Sequence, residues 1–165
     1  MTVSDELKPN EIILGERNYD AATGLMIESA KRELKIFDPD LSRGGYQSLE
    51  IHQSLEDFLA KDRLNRVTMI LHDSQFFYTR CPRLIELMKR YTHAMTIYLT
   101  DERGHVAQDA FVLADGGDYL HRFHVDHARF KYVHGNEVAA KPLHQRFEQL
   151  LDVTSVRLSV STTGL

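Results

Sequence analysis

Between residues 105 and 136 the chain reads HVAQDAFVLADGGDYLHRFHVDHARFKYVHGN, which holds five of the nine histidines and, before residue 120, three aspartates. Imidazoles and carboxylates at short spacing can ligate zinc, move protons or attack a phosphoryl group. Zinc requires three or four ligands converging at about 2 Å. In an extended chain His121 and His127 share a face while His124 points the other way. The segment is rich in aromatic and β-branched residues and reads as strand. Exposed strand histidines are therefore expected, with no metal and no cofactor. The same run interleaves Arg122, Arg129 and Lys131 with Phe123, Phe130 and Tyr132. Such alternation over residues 121–132 can hold single-stranded nucleic acid by charge and stacking. It is also what an amphipathic strand pair presents, apolar inward and basic outward, and that plainer reading is the expectation for an acidic chain.

A second candidate is IFDPDLS, an apolar strand followed by D-x-D. It looks like the first motif of haloacid dehalogenase-type phosphatases, in which the first aspartate is the nucleophile and the second the general acid, with magnesium at the phosphate. Asp38 and Asp40 would take those roles, with Ser74 on the phosphate, Asp115 and Asp118 on the metal, and Lys89 as the stabilising cation. This is the alternative reading. Pro39 makes the same stretch an ordinary turn, and a full helix precedes the strand where that family begins with it. Cys81, the single cysteine, precedes a helix starting near Pro82. A helix N-terminus with Arg80 and Arg83 beside it would lower its pKa, but no His–Asn pattern accompanies it, so a capping or buried thiol is expected.

The elements that must position these residues alternate. Helical spacing appears in NYDAATGLMIESAKRE through Ala22, Leu25, Met26, Ser29 and Ala30, with Asn18 or Asp20 as cap. It recurs through Ile51, Leu55, Phe58 and Leu59, then through Leu84, Leu87, Met88 and Tyr91 with Pro82 at the start, and last through Leu143, Phe147, Leu150 and Leu151. Between these lie the strand patterns LKIFD, RVTMILHD, AMTIYLTD and AFVLAD, then YLHRFHV and RFKYVH as a hairpin, and VTSVRLSVS at the end. EIILGE offers a short edge strand within a loosely held arm, residues 1–18. Helix and strand in alternation predict an α/β domain over residues 19–165 with a mixed, largely parallel central sheet flanked by helices. Ligands of such sheets sit beyond the carboxyl ends of the strands. Those ends carry Asp38, His72, Asp73, Asp101 and Asp115, although aspartate at a strand end commonly just caps the next turn.

A length of 165 residues means one domain. The net charge of −4 gives no global attraction to phosphate backbones or anionic lipid. No apolar run approaches the ~18 residues of a membrane span, and the polar N-terminus has no secretory pattern. With one cysteine, no internal disulfide can form. A cytoplasmic protein is expected, with no membrane association and without nucleic acid.

The succession SAKRELKIFDPDL, RVTMILHDSQFF, CPRLIELMKR, FVLADGGDYLHR and PLHQRFEQLLDVTS resembles the phospholipase D-like superfamily, and within it a bacterial domain of unknown function. The likeness covers residues 19–155. It implies a phospholipase D-like sandwich. Enzymes of that superfamily carry H-x-K-x4-D: the histidine attacks a phosphodiester, the lysine holds the phosphate and the aspartate ends the following strand. Asp115 matches that aspartate, which places Gln108 at the histidine and Ala110 at the lysine. Neither residue can take its role, and no H-x-K occurs anywhere in the chain. The resemblance thus implies the fold without the chemistry: a degenerate, non-catalytic relative binding an anionic small molecule or a protein partner at the strand-end rim. Asp38, His72, Asp73, Arg83 and Asp115 are expected around any pocket there. Single-unit relatives pair about a two-fold axis, so a homodimer is expected.

Overall fold

The computed structural model describes residues 7–160. Residues 1–6 of the expected arm and residues 161–165 lie outside the described residues. Eight strands form one sheet in the order β1-β7-β6-β5-β2-β3-β4-β8. They are β1 (Ile13–Leu14), β2 (Glu33–Phe37), β3 (Arg66–Leu71), β4 (Met95–Thr100), β5 (Ala110–Ala114), β6 (Asp118–His124), β7 (His127–Val133) and β8 (Thr154–Arg157). The helices are α1 (Glu16–Ser29), α2 (Leu49–Lys61), α3 (Gln75–Arg80), α4 (Pro82–Arg90) and α5 (Glu137–Leu151). The architecture is the mixed α/β sandwich expected, with fewer parallel pairs than the alternation of helix and strand predicts. Its parallel part is the trio β2-β3-β4; every other neighbouring pair is antiparallel. Parallel strands need a crossover helix, and α2 and the α3–α4 pair supply the two. After β4 the chain crosses to the other side of β2, where β5, β6 and β7 follow one another through short turns as antiparallel neighbours, and α5 then returns it to β8 beside β4.

Strand alternation divides the core in two. Val112 and Ala114 of β5 point to a large cluster with Met26, Ile27, Leu55 and Leu84 from α1, α2 and α4. Phe111 and Leu113, one residue out of phase, join a smaller cluster with Leu143, Phe147 and Leu150 of α5. One sheet face is thus covered by several helices and the other by α5 alone, which reaches β4, β5 and β6.

Local chemistry accounts for the helix starts. Ser48 accepts a hydrogen bond from the Ile51 amide at 3.2 Å, and Asn136 accepts one from Ala139 at 3.0 Å, each satisfying an otherwise unpaired first-turn donor. Helix α1 starts earlier than its periodicity predicts. Its N-cap is Gly15 at φ 107, not Asn18 or Asp20; the Asn18 amide instead donates to the Leu14 carbonyl at 3.0 Å. Pro82 stands at the start of α4 as expected. Helix α3, which the sequence pattern does not reveal, fills the link before it. Helix α5 runs through Pro142, so it begins one turn before the apolar spacing does. Among the described residues no helix is long and apolar enough to cross a membrane.

Candidate functional site

Because β5 runs antiparallel to β2, with Phe111 opposite Phe37, the amino end of β5 meets the carboxyl ends of β2, β3 and β4. This rim gathers the loop after Asp38, the His72–Asp73 pair, Thr100, the 3-10 turn Glu102–Val106 and, at the amino end of β5, Gln108 and Ala110.

Asp38 is 1% exposed. Its Oδ1 accepts amide hydrogen bonds from Leu41 at 2.9 Å and Asp40 at 3.3 Å, which curl residues 38–41 into a tight turn. Oδ2 has no partner among the described residues. Burial pushes the Asp38 carboxyl up to about 7, aided by repulsion from Asp40 and opposed by the two amides. The loop is tightly wound: Leu41, Gly44 and Gly45 all have positive φ, 70, 94 and 76. At Leu41 this is a rare conformation for a residue with a branched side chain. A Cβ at Gly44 would lie 2.9 Å from the Tyr46 ring, so only glycine fits there. Tyr19 and Tyr46, each 1% exposed, sit beside the loop, and burial raises both phenols well above their usual range.

Arg122 completes this cluster. Its side chain is fully buried, directly opposite Ala110 on the neighbouring strand and on the same sheet face. The guanidinium lies 4.7 Å over the Tyr19 ring. It donates to Glu16 in a bidentate pair at 2.6 and 2.9 Å, and to the Val125 carbonyl at 2.8 Å. The bond from Arg122 holds Glu16 below the usual carboxylate range. A cation therefore stands beside Ala110, but its donors are spent on the protein itself. This corrects the amphipathic-strand expectation, which had Arg122 facing solvent. No local pattern links Glu16 to a residue 106 positions away.

On the other sheet face, His72 Nε2 donates to the Ala107 carbonyl and Nδ1 bonds the Thr100 hydroxyl, both at 2.7 Å. The carbonyl fixes a proton on Nε2, whereas the hydroxyl can give or take the bond at Nδ1. Burial lowers its pKa, although the bond to Ala107 works the other way. His72 is a clamp between β3, β4 and the connection into β5, and the His105 ring lies tilted against it, centroids 4.9 Å apart. Beside them Asp109 is held by Arg146, with Nη2 to Oδ1 at 2.8 Å and a second bond from Nη1, and by His121 Nε2 at 2.7 Å. Burial penalises the Asp109 charge, but Arg146 and His121 outweigh it and hold the carboxyl well below its usual range.

Four of the five expected site residues share the rim. Asp38 begins it. The His72 and Asp73 amides both donate to the Pro39 carbonyl, at 2.8 and 3.0 Å. Arg83, exposed on α4, reaches the Gln47 carbonyl at 3.4 Å. Asp115 does not join them. It lies at the far edge formed by the opposite ends of the strands, where its carboxylate accepts amide bonds from Lys31 and Arg32 at 2.8 Å and Glu33 at 3.0 Å. The five-residue run of β2 separates it from Asp38, roughly 16 Å at the rise of a strand. Strand direction is the physical reason: periodicity does not distinguish the two ends of β5. Asp118 is at that far edge too, accepting from the Gly135 amide at 2.7 Å. Lys89 lies on α4 beside Glu86. The residues required by the phosphatase reading therefore do not assemble around Asp38 and Asp40.

The His124 and His127 rings lie tilted against each other at the β6–β7 turn, centroids 5.2 Å apart, and among the described residues no group of three or more potential ligands could hold a metal. Of the basic and aromatic residues in 121–132, Phe130 and Tyr132 are buried, whereas Phe123 is 37% exposed with the Arg129 guanidinium 5.7 Å from its ring. Cys81 is fully buried. Burial pushes its thiol up to about 11, the reverse of activation by a helix N-terminus.

Three solved structures are similar in fold. An archaeal chromatin protein, TrmBL2, described as showing a novel mode of DNA binding, aligns at TM-score 0.64 and 11% identity over 91% of this chain, which spans 55% of that protein. The phospholipase D family member Nuc from Salmonella typhimurium aligns at TM-score 0.60 and 9% identity over 88% of this chain and 96% of its own. NucT from Helicobacter pylori aligns at 0.57 and 11%, over 87% and 96%. At such identities the likeness is one of fold, and that fold is phospholipase D-like. No curated protein matches the chain. The family model that does match spans residues 16–158, nearly the whole described domain, and the chain therefore belongs to the family described as Domain of unknown function (DUF7931).

Proposed function

We propose that this chain is a non-catalytic phospholipase D-like domain that binds an anionic small molecule or a protein partner at the rim of Asp38, His72, Asp73 and Arg83, and works as a homodimer. One observation carries the reading. The nucleophile position is Gln108, whose amide donates to the His105 carbonyl at 2.7 Å, and the lysine position is Ala110, whose cationic neighbour Arg122 is sealed under Glu16. Neither supplies a nucleophile or a free cation for a phosphodiester. Loss of the nucleophile removes on the order of 10⁴-fold or more in rate. Purified protein should not hydrolyse a chromogenic phosphodiester above background. Turnover abolished by changing one rim histidine, His72 or His105, would overturn the proposal. Pairing is supported by Val106, 86% exposed on the same rim; light scattering at micromolar concentration should give about twice the 19.0 kDa chain mass.

Phe123, Arg129 and Lys131 favour a second reading. They present an aromatic and two cations on the sheet face that α5 leaves open, a combination suited to single-stranded nucleic acid. Salt-dependent shift of an oligonucleotide, lost in Phe123→Ala with Arg129→Ala, would favour this reading over the first.

A further inference from the structure

We infer that the groove between α1 and α2, which meets the rim loop at Gly45, is the docking site for a basic amphipathic helix of a partner protein. The groove has a volume of about 700 Å³. Its floor is apolar and open: Leu25 is 37% and Leu49 57% exposed, with Ile51 beneath. Its walls carry Asp20, Glu28, Glu50 and Asp57 and no lysine or arginine. Among the described residues none of these four carboxylates has an ion-pair partner within 4 Å, although twelve such pairs form elsewhere on the chain. A single-sign field around an apolar floor repels nucleic acid and anionic lipid and attracts a cationic apolar segment.

Gly24 supplies an independent observation. It lies in the middle of α1, where glycine is among the poorest helix formers. Packing does not require it, because a Cβ there would meet only Ile51 Cδ1 at 3.8 Å, an ordinary contact. Its backbone φ is not in the left-handed region. What the missing side chain does is keep the floor open. From Asp20 to Glu28 the wall runs eight residues, about 12 Å of helix. That length suits a partner segment of two to three turns, laying an i, i+3, i+4, i+7 apolar stripe between α1 and α2 while its lysines or arginines meet the carboxylates.

The test uses a fluorescein-labelled 14-residue helical peptide of leucine and lysine with that stripe, read by fluorescence anisotropy at 50 mM salt. Two control peptides replace its lysines by glutamate or its leucines by glutamine. The leucine–lysine peptide should bind at least tenfold more tightly than either control. Gly24→Leu, which fills the floor, and Glu28→Lys with Asp57→Lys, which reverses two exposed charges, should each weaken it at least tenfold; melting curves establish that both variants fold. Equal binding of the leucine-free peptide, or wild-type affinity in folded Gly24→Leu, would overturn the inference.

Discussion

Asp38 and Asp115 end neighbouring strands and look alike in the sequence, yet the two edges of the sheet treat them in opposite ways. At the far edge the Asp115 carboxylate receives three backbone amides and stitches the start of β2 to the end of β5. At the rim the Asp38 carboxylate is buried, receives two amides on one oxygen and none on the other, and sits beside a loop with a left-handed Leu41. The far edge is a fully paired joint. The rim holds a polar group that is not fully satisfied, a cost usually retained only where the surrounding structure uses it.

The largest test of this contrast is pH. The folded Asp38 carboxyl titrates near 7 and an unfolded aspartate near 3.9, so between those values the folded state binds more protons. Stability contributed by the neutral carboxyl is complete below about pH 4 and is lost as pH rises to 7, on the order of 4 kcal/mol. Urea unfolding across pH 4–8 should show that decline, and Asp38→Asn, which is neutral throughout, should flatten it. An unchanged slope in the variant would mean the two edges do not differ in this way. Asp115→Ala should come next, lowering stability by about 3 kcal/mol at every pH from 6 to 8, because three amides lose one acceptor; a melting shift of roughly 6–12 °C is the readout. Asp109→Asn should cost about 1–2 kcal/mol, since Arg146 is partly solvated and keeps one neutral acceptor. Asp40→Ala should cost least, about 0.5–1 kcal/mol, from the bonds its Oδ1 accepts from the Ser42 amide at 2.9 Å and hydroxyl at 2.6 Å. A ranking with Asp40 above Asp115 would reverse the comparison.

Elements with apolar periodicity were legible in the chain: α2, α4, β3 and the β6–β7 hairpin stand where spacing predicts them. The edge strand in EIILGE is legible too, as β1. Strand direction was not, because alternation is the same read either way, and so Asp115 could not be separated from the rim residues. Arg122 escaped for a different reason. Its polar type argues for solvent, and only the tertiary meeting of β6 with α1 supplies the carboxylate that lets a guanidinium be buried. Helix α3 carries QFFYTR, too short for a helical period to emerge. The Asp109–His121–Arg146 cluster lies partly within the polar run noticed at once, but Arg146 arrives from α5, and the pairing is not written in local spacing.

The order of the sheet has a mechanical consequence. Its outermost strands, β1 and β8, come from opposite ends of the described chain, so seven inter-strand gaps, roughly 33 Å, separate them. A force applied between residues 13 and 157 would act across the strands, not along them. It would load the ladder one hydrogen-bonded pair at a time, as in a zip, and peel β8 or the two-residue β1 before the central trio feels any tension. In an optical trap the domain should therefore yield at low force in steps from its margins, although pulled from residue 33, at the start of β2, to residue 71, at the end of the parallel neighbour β3, the same sheet should resist as a block in shear.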